Sequence, residues 1–379
     1  MTRTDQAVVA VIGGGPAGAS AALELARCGI ETRLLERSNG SGNPVGECLA
    51  PSVNPLLYRL GLDEVMLRSG ALPSYSNRSA WGGDGTPVDR DFLREALGHG
   101  WHLDRPAFNG ALLDAVEAVG VPVWRQTRMT SLTRAGDTWE IGTVSPCGAR
   151  TLHASMLVDA SGRAAVVARR QAVRRHTFDT QIAAVSILEG DGRPAPLQDA
   201  TTVIEAAACG WWYAALLPDR RLAVAWFSDP DLLSRSGAWR PPGWWDLLRS
   251  SDLVWNVVAL HGYEMPKEIR VLAAGSSLLN RATGDGWVAA GDAAAAFDPL
   301  SSHGIGSALA SGMSAAKAVA ATLAGDDTAW AAYGERLRSG YARYLWARHA
   351  YYADERRWPQ SPFWARRRAG AHPPPEYAT

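Results

Sequence analysis

Residues 7–12 form a short apolar run, AVVAVI, that ends against a cluster of glycines, the pattern of a strand buried on both faces. Residues 16–28 carry apolar positions at helical spacing with many alanines, and residues 31–36 (ETRLLE) read as a second strand. Strand, helix and strand in this order predict a βαβ unit with parallel strands. A Gly- and Ser-rich loop over 38–46 leads to a helix predicted near 52–60. Residues 104–119 again have helical spacing, and strands are predicted near 121–124, 128–133, 138–142 and 155–159. From about 166 to 280 the period changes, and alternating stretches such as 182–188 and 222–227 predict an antiparallel sheet. An apolar strand at 287–290 precedes a long helix predicted from about 305 to 350, and the Pro-rich end, 373–379, reads as frayed.

Chemistry enters where the first strand meets its helix. In Gly13-Gly14-Gly15-Pro16-Ala17-Gly18, residues Gly13, Gly15 and Gly18 satisfy GxGxxG. The first glycine permits the turn, the second lets backbone approach a pyrophosphate, and the third lets helix pack on strand. Pro16 and Ala17 would open the helix, whose N-terminus faces the phosphate charge. Glu36, with Arg37 beside it, ends the second strand, where a carboxylate accepts from ribose hydroxyls. A carboxylate there favours an unphosphorylated ribose, as in FAD or NAD, over NADP. The alternative, a chance glycine-rich turn, fits the strand-before and helix-after context poorly.

A second stretch chooses between FAD and NAD. Gly286-Trp287-Val288-Ala289-Ala290-Gly291-Asp292-Ala293-Ala294 resembles the distal GD motif of the p-hydroxybenzoate-hydroxylase superfamily of flavoproteins. The resemblance implies that Asp292, after Gly291, accepts from the ribityl chain of FAD. It also implies that the segment from Pro299 enters a helix at Gly304 and Ile305, its N-terminus at the flavin edge where negative charge develops on reduction. Small residues at Ala308, Ala310, Ser311 and Gly312 would let that helix sit close to its neighbours. Asp104-Arg105-Pro106-Ala107-Phe108-Asn109 is similar to the family's DRxxFD helix start, with Asn109 in place of the acid. That makes Arg105 cofactor-facing, the alternative being an exposed arginine at a helix start. Asp159-Ala160-Ser161-Gly162-Arg163 is similar to its strand end beside FAD and adds Asp159. The resemblance covers most of 6–165 and 281–320.

The implied fold class is α/β: a Rossmann-type FAD-binding domain with an inserted antiparallel-sheet substrate domain and a helical C-terminal tail. The FAD-binding domain is discontinuous, over 1–65, 99–165 and 281–345. The substrate domain takes 66–98 and 166–280, and the tail takes 346–379. No cysteine lies in a recognised flavin-attachment motif, so FAD is expected to bind noncovalently. No second GxGxxG unit marks a nicotinamide domain, so the electron source is expected to be NAD(P)H acting without one, or a separate flavin reductase.

Further fragments narrow the branch. Val45-Gly46-Glu47-Cys48-Leu49-Ala50-Pro51 resembles a loop of tryptophan halogenases and geranylgeranyl reductases, and Gly210-Trp211-Trp212-Tyr213 stands where those halogenases carry G-W-x-W-x-I-P. Proline comes two residues late here, at Pro218. The lysine with which those halogenases handle hypohalous acid has no counterpart in 52–100. The segment 210–226 and the tail 351–364 look similar to flavoproteins that mature the tryptophylquinone cofactors of amine oxidases and amine dehydrogenases. That resemblance implies monooxygenation of a tryptophan side chain in a partner polypeptide. The alternatives are a monooxygenase or halogenase of a free or carrier-bound aromatic metabolite, a prenyl-chain reductase, and a non-catalytic FAD-binding partner.

Trp211, Trp212 and Tyr213 are the substrate candidates, or else they fill the inter-domain core. Glu47 and Asp298 are the candidate bases for the ring proton. His303 is a candidate for proton transfer, or a loop histidine that satisfies backbone groups. Cys48 reads best as a small buried hydrophobe. The tail aromatics and arginines, Arg356, Arg357, Trp358, Phe363 and Trp364, either form a partner-binding surface or pack on their own domain.

Composition bounds the remainder. The chain has 379 residues, 47% hydrophobic and 20% charged, which is globular and long enough for two domains. Formal net charge is zero, so no electrostatic footprint for nucleic acid is expected. The four cysteines are scattered without a CxxC pair, which argues against zinc and a disulfide framework; no metal is expected. No secretion signal or apolar run of ~18 residues is evident, and a cytoplasmic protein without a membrane span is expected. Lys267 and Lys317 are the only lysines.

Overall fold

The computed structural model describes residues 3–39, 47–92, 96–190 and 200–369. Val45 and Gly46 therefore lie outside the described residues. A mixed eight-stranded sheet forms one layer. Its parallel core runs Trp287–Ala289, Gly148–Asp159, Arg3–Ile12, Thr32–Leu35 and Val123–Trp124. The antiparallel strands Arg128–Ala135 and Thr138–Ser145 extend it beside Gly148–Asp159. The register brings four strand ends level: Ile12 pairs with Leu35 and Asp159, and Asp159 pairs with Ala289. The residues that follow all emerge on one edge, the carboxyl edge where open α/β sheets bind ligands.

The helix Pro16–Arg27 follows the first strand, with Pro16 at a position where its missing N–H costs nothing. It packs against Gly304–Leu323 closely enough that a Cβ on Gly312 would overlap the Ala17 carbonyl oxygen and the Ser20 hydroxyl. The small residues of the second helix thus set a short interhelical distance. Asp104 caps the helix Arg105–Ala118 by accepting from the Ala107 N–H at 2.9 Å.

A seven-stranded sheet forms the other half, in the order Arg270–Ala273, Ile182–Leu188, Leu222–Ser228, Gly210–Leu216, Thr201–Ala207, Ser76–Ala80 and Val88–Asp91. All its pairings are antiparallel except Thr201–Ala207 with Ser76–Ala80. Alternation along Gly210–Leu216 sends Trp212 and Ala214 to one face, under helices between 230 and 260. Trp211 and Tyr213 go to the other.

The C-terminal region differs from the reading of one long helix. Gly304–Leu323 and Ala329–Asp354 are separate helices, broken at Gly325, whose φ of +92° an L side chain rarely adopts. The second helix runs through residue 346, the expected start of the tail. A third helix, Pro362–Ala369, folds back on the seven-stranded sheet. Phe363 and Trp364 are fully buried, and the Trp364 indole donates to the Ala207 carbonyl at 3.0 Å. Arg367 pairs with Asp229 at 2.8 Å, both buried. Of the two alternatives for the tail, packing on its own domain is the one that Phe363 and Trp364 adopt. Among the described residues no helix is long and apolar enough to cross a membrane.

Candidate active site

The Gly13–Gly18 turn is built for close backbone approach. Gly13 has φ +111°, and a Cβ there would overlap the Ala160 carbonyl oxygen. A Cβ on Gly18 would overlap the Gly13 carbonyl oxygen. Gly15 has open space where its Cβ would be, which leaves room for a phosphate over the helix N-terminus. Glu36 stands beside the turn and accepts from the Gly14 N–H at 2.6 Å. Arg37 follows at the exposed edge.

From this turn a cavity of about 360 Å³ opens between the two sheets, within the range of small-molecule and cofactor sites. Gly15, Pro16, Ala17, Arg105, Asp292, Gly304 and Ile305 all line it. Gly291, at φ +58°, abuts Ala17, and its N–H donates to the Ser311 hydroxyl at 2.8 Å. That contact fixes the turn carrying Asp292. Burial pushes the Asp292 carboxyl up, while Arg163, Arg175 and Arg105 pull it back; the Arg163 Nε lies 3.5 Å from it. Burial lowers the Arg105 pKa, and Glu47 and Asp292 oppose this. The helix Gly304–Leu323 directs its N-terminus at the same space. A planar group that gains negative charge would be favoured there.

The opposite wall is apolar: Ala183, Val185, Ala225, Phe227, Leu272 and Phe297, with Tyr213 among them. Glu47 is buried and lines the cavity. Next to it, burial raises the Cys48 thiol to about 11. The His102 Nδ1 meets the Leu216 carbonyl at 2.9 Å, and its Nε2 meets the Thr202 hydroxyl at 2.8 Å. Burial lowers the His102 pKa to about 4, so its ring is neutral and carries one proton. A carbonyl only accepts, so that proton is on Nδ1 and Nε2 accepts from Thr202, whose hydroxyl also lies 3.3 Å from the Cys48 sulfur. This chain pins the strand Cys48–Leu49, and with it Glu47, to the seven-stranded sheet.

The other candidates are placed differently. Asp298 also lines the cavity, but its carboxylate accepts from the Leu300 N–H at 3.0 Å, Arg348 Nε at 2.9 Å and Tyr352 Oη at 2.9 Å. A carboxylate so held is a structural anchor rather than a base. His303 is exposed and is not among the lining residues. Asp159 is fully buried and accepts from the Val167 and Ala168 N–H groups at 2.8 and 3.0 Å, so it braces its turn instead of facing a cofactor. Trp211 stacks on Phe227 in the core, and Trp212 packs with Trp226 and Trp244 on the far face. Of the three aromatics only Tyr213 lines the cavity. Arg163 and Phe227 line it without having been singled out, although DASGR and the alternation of 222–227 pointed to their surroundings.

The family described as FAD binding domain matches residues 6–341. LodB of Marinomonas mediterranea, named as an FAD-dependent oxidoreductase, is 30% identical over 364 residues, covering 95% of this chain and 96% of its own. A tryptophan 2-halogenase of Chondromyces crocatus is 28% identical over 328 residues, covering 84% of this chain and 62% of the relative. Among solved structures, the flavin-dependent halogenase CmlS superposes with a TM-score of 0.83 at 28% identity, over 97% of this chain and 68% of that one. The peptidyl tryptophan dihydroxylase QhpG shares the fold, with a TM-score of 0.77 at 24% identity over 96% and 78% of the two chains.

Proposed function

The chain belongs to the FAD binding domain family, and on that premise we propose that it is a flavin-dependent monooxygenase that hydroxylates an electron-rich aromatic ring, the side chain of a tryptophan in a partner polypeptide. The cavity suits FAD. It has an open glycine turn at a helix N-terminus, a carboxylate at Asp292 and a second helix N-terminus at Gly304. Bound and reduced, FAD supplies activation of dioxygen and transfer of one oxygen atom. Reducing equivalents would come from NAD(P)H or a separate flavin reductase.

The remaining work falls to the chain's own residues. Val185, Phe227, Leu272 and Phe297 give a ring an apolar surface and exclude water. Glu47, buried and lining the cavity, is the group we assign to accept the ring proton as aromaticity returns. Ala273, Pro299 and Gly304 line the cavity yet are exposed, so it reaches the surface, where a protein-borne ring has to enter. The polypeptide substrate is supported by the similarity of 210–226 and 351–364 to tryptophylquinone-maturing flavoproteins.

The observation that carries hydroxylation over halogenation is the position of the lysines. Lys317 lies beside Glu24, with 3.7 Å between Nζ and Oε1, and Lys267 is exposed; neither lines the cavity. The chain has no other lysine to handle hypohalous acid. Halogenation is the second reading, favoured by the similarity to the tryptophan 2-halogenase. Reduced FAD, O2 and bromide supplied together with an indole-bearing substrate are expected to give an oxygenated product and no brominated one. Mass spectra showing a bromine isotope pattern in the product would establish the second reading instead.

A further inference from the structure

Tyr213 stands on the cavity face of the strand Gly210–Leu216. Its hydroxyl is buried and, among the described residues, has no hydrogen-bond partner. Native chains rarely leave such a group unpaired, because burial strips its water without replacement. Burial, with Cys48 and Glu47 nearby, pushes the phenol well above its usual pKa. The group therefore stays protonated and can both donate and accept. The side chains around it on the same wall, Ala183, Val185, Ala225 and Phe227, offer no polar atom. A flat ring pressed on an apolar wall is free to turn in its own plane, and one fixed polar atom is enough to choose its orientation.

We propose that Tyr213 is the specificity-determining residue of the substrate wall, its hydroxyl hydrogen-bonding an N–H or O–H carried by the aromatic ring itself. This deepens the reading given under Proposed function and rests on it for placing a ring in this cavity. For an indole, Tyr213 Oη accepts the ring N–H, so a ring of the same shape without that hydrogen is bound less well.

The test needs no turnover. FAD-loaded, oxidised wild-type and Tyr213→Phe proteins are titrated with two matched pairs, and the flavin absorbance band reports binding. One pair is 3-methylindole and 3-methylbenzothiophene, in which sulfur replaces the N–H. The other is 4-methylphenol and 4-fluorotoluene. The wild type is expected to bind the polar member of the indole pair about tenfold more tightly than its isostere. Tyr213→Phe is expected to bind both members alike, with an unchanged flavin spectrum before any ligand is added. A preference confined to the phenol pair and lost in Tyr213→Phe keeps the assignment and removes the indole reading. The assignment is overturned if the wild type prefers neither polar member, or if Tyr213→Phe keeps the preference. It is equally overturned if Tyr213→Phe loses FAD or shifts its spectrum without ligand, since the hydroxyl then serves the cofactor.

Discussion

Glu47→Gln is expected to slow product formation by about 10²–10⁴-fold, the usual contribution of a positioned general base, while FAD binds with wild-type affinity. The glutamine keeps size and hydrogen-bonding shape but cannot take a proton. Glu47 is buried beside the cavity, and the strand that follows it is tied to the seven-stranded sheet through Cys48, Thr202 and His102. Its carboxylate lines the cavity, within electrostatic reach of Arg105 and Tyr213. The rival carboxylate, Asp298, is already held by Arg348 and Tyr352. Single-turnover measurements with pre-reduced, FAD-loaded protein separate the chemical step from flavin reduction. A rate equal to that of the wild type would show that the ring proton leaves by another route.

The second large effect concerns the cofactor. Asp292→Ala is expected to weaken FAD binding by roughly ten- to hundredfold, the equivalent of losing a charge-assisted hydrogen bond worth about 1.5–3 kcal/mol. Glu47→Ala should change it far less, because Glu47 is assigned to the reaction and not to the ribityl chain. The ionised Asp292 carboxylate is the stronger acceptor for a ribityl hydroxyl, and burial raises its pKa in the free protein. Affinity for FAD should therefore fall as pH drops, beginning at a higher pH than an ordinary aspartate would give. Fluorescence titration of apoprotein with FAD across pH reads both effects. Equal affinity for wild type and Asp292→Ala would show that the distal motif is misassigned.

The parts of this site that could be read from the sequence are those fixed by local geometry. GxGxxG between strand and helix specifies a turn through Gly13, whose φ is positive, and Gly15, where space is open. Gly291 needs its own positive φ against Ala17, so the distal turn also left its mark in residue types. Strand alternation separates Trp212 from Trp211 and Tyr213, but it does not tell which face meets the cavity. That choice depends on the helices between 230 and 260 covering one side and on Phe363 and Trp364 returning to the other. Asp298 looked like a base because its partners, Arg348 and Tyr352, lie about fifty residues further on, at sequence separations of 50 and 54. Asp159 shows a related effect. Its motif locates the strand end correctly, but the carboxylate turns back to the N–H groups of Val167 and Ala168. The thiol–hydroxyl–imidazole chain joins Cys48, His102 and Thr202 from three strands, and no short motif announces it.

The measurement that bears most directly on the proposed function uses labelled dioxygen. FAD-loaded protein is supplied with reductant, ¹⁸O2 and a candidate precursor polypeptide, alongside a parallel reaction with free tryptophan. The peptides are then digested and sequenced by mass spectrometry. The account predicts a polypeptide tryptophan heavier by about 18 Da for each labelled oxygen inserted, since flavin transfers one atom per turnover, with free tryptophan unchanged. Labelled free tryptophan beside an unmodified polypeptide would contradict it.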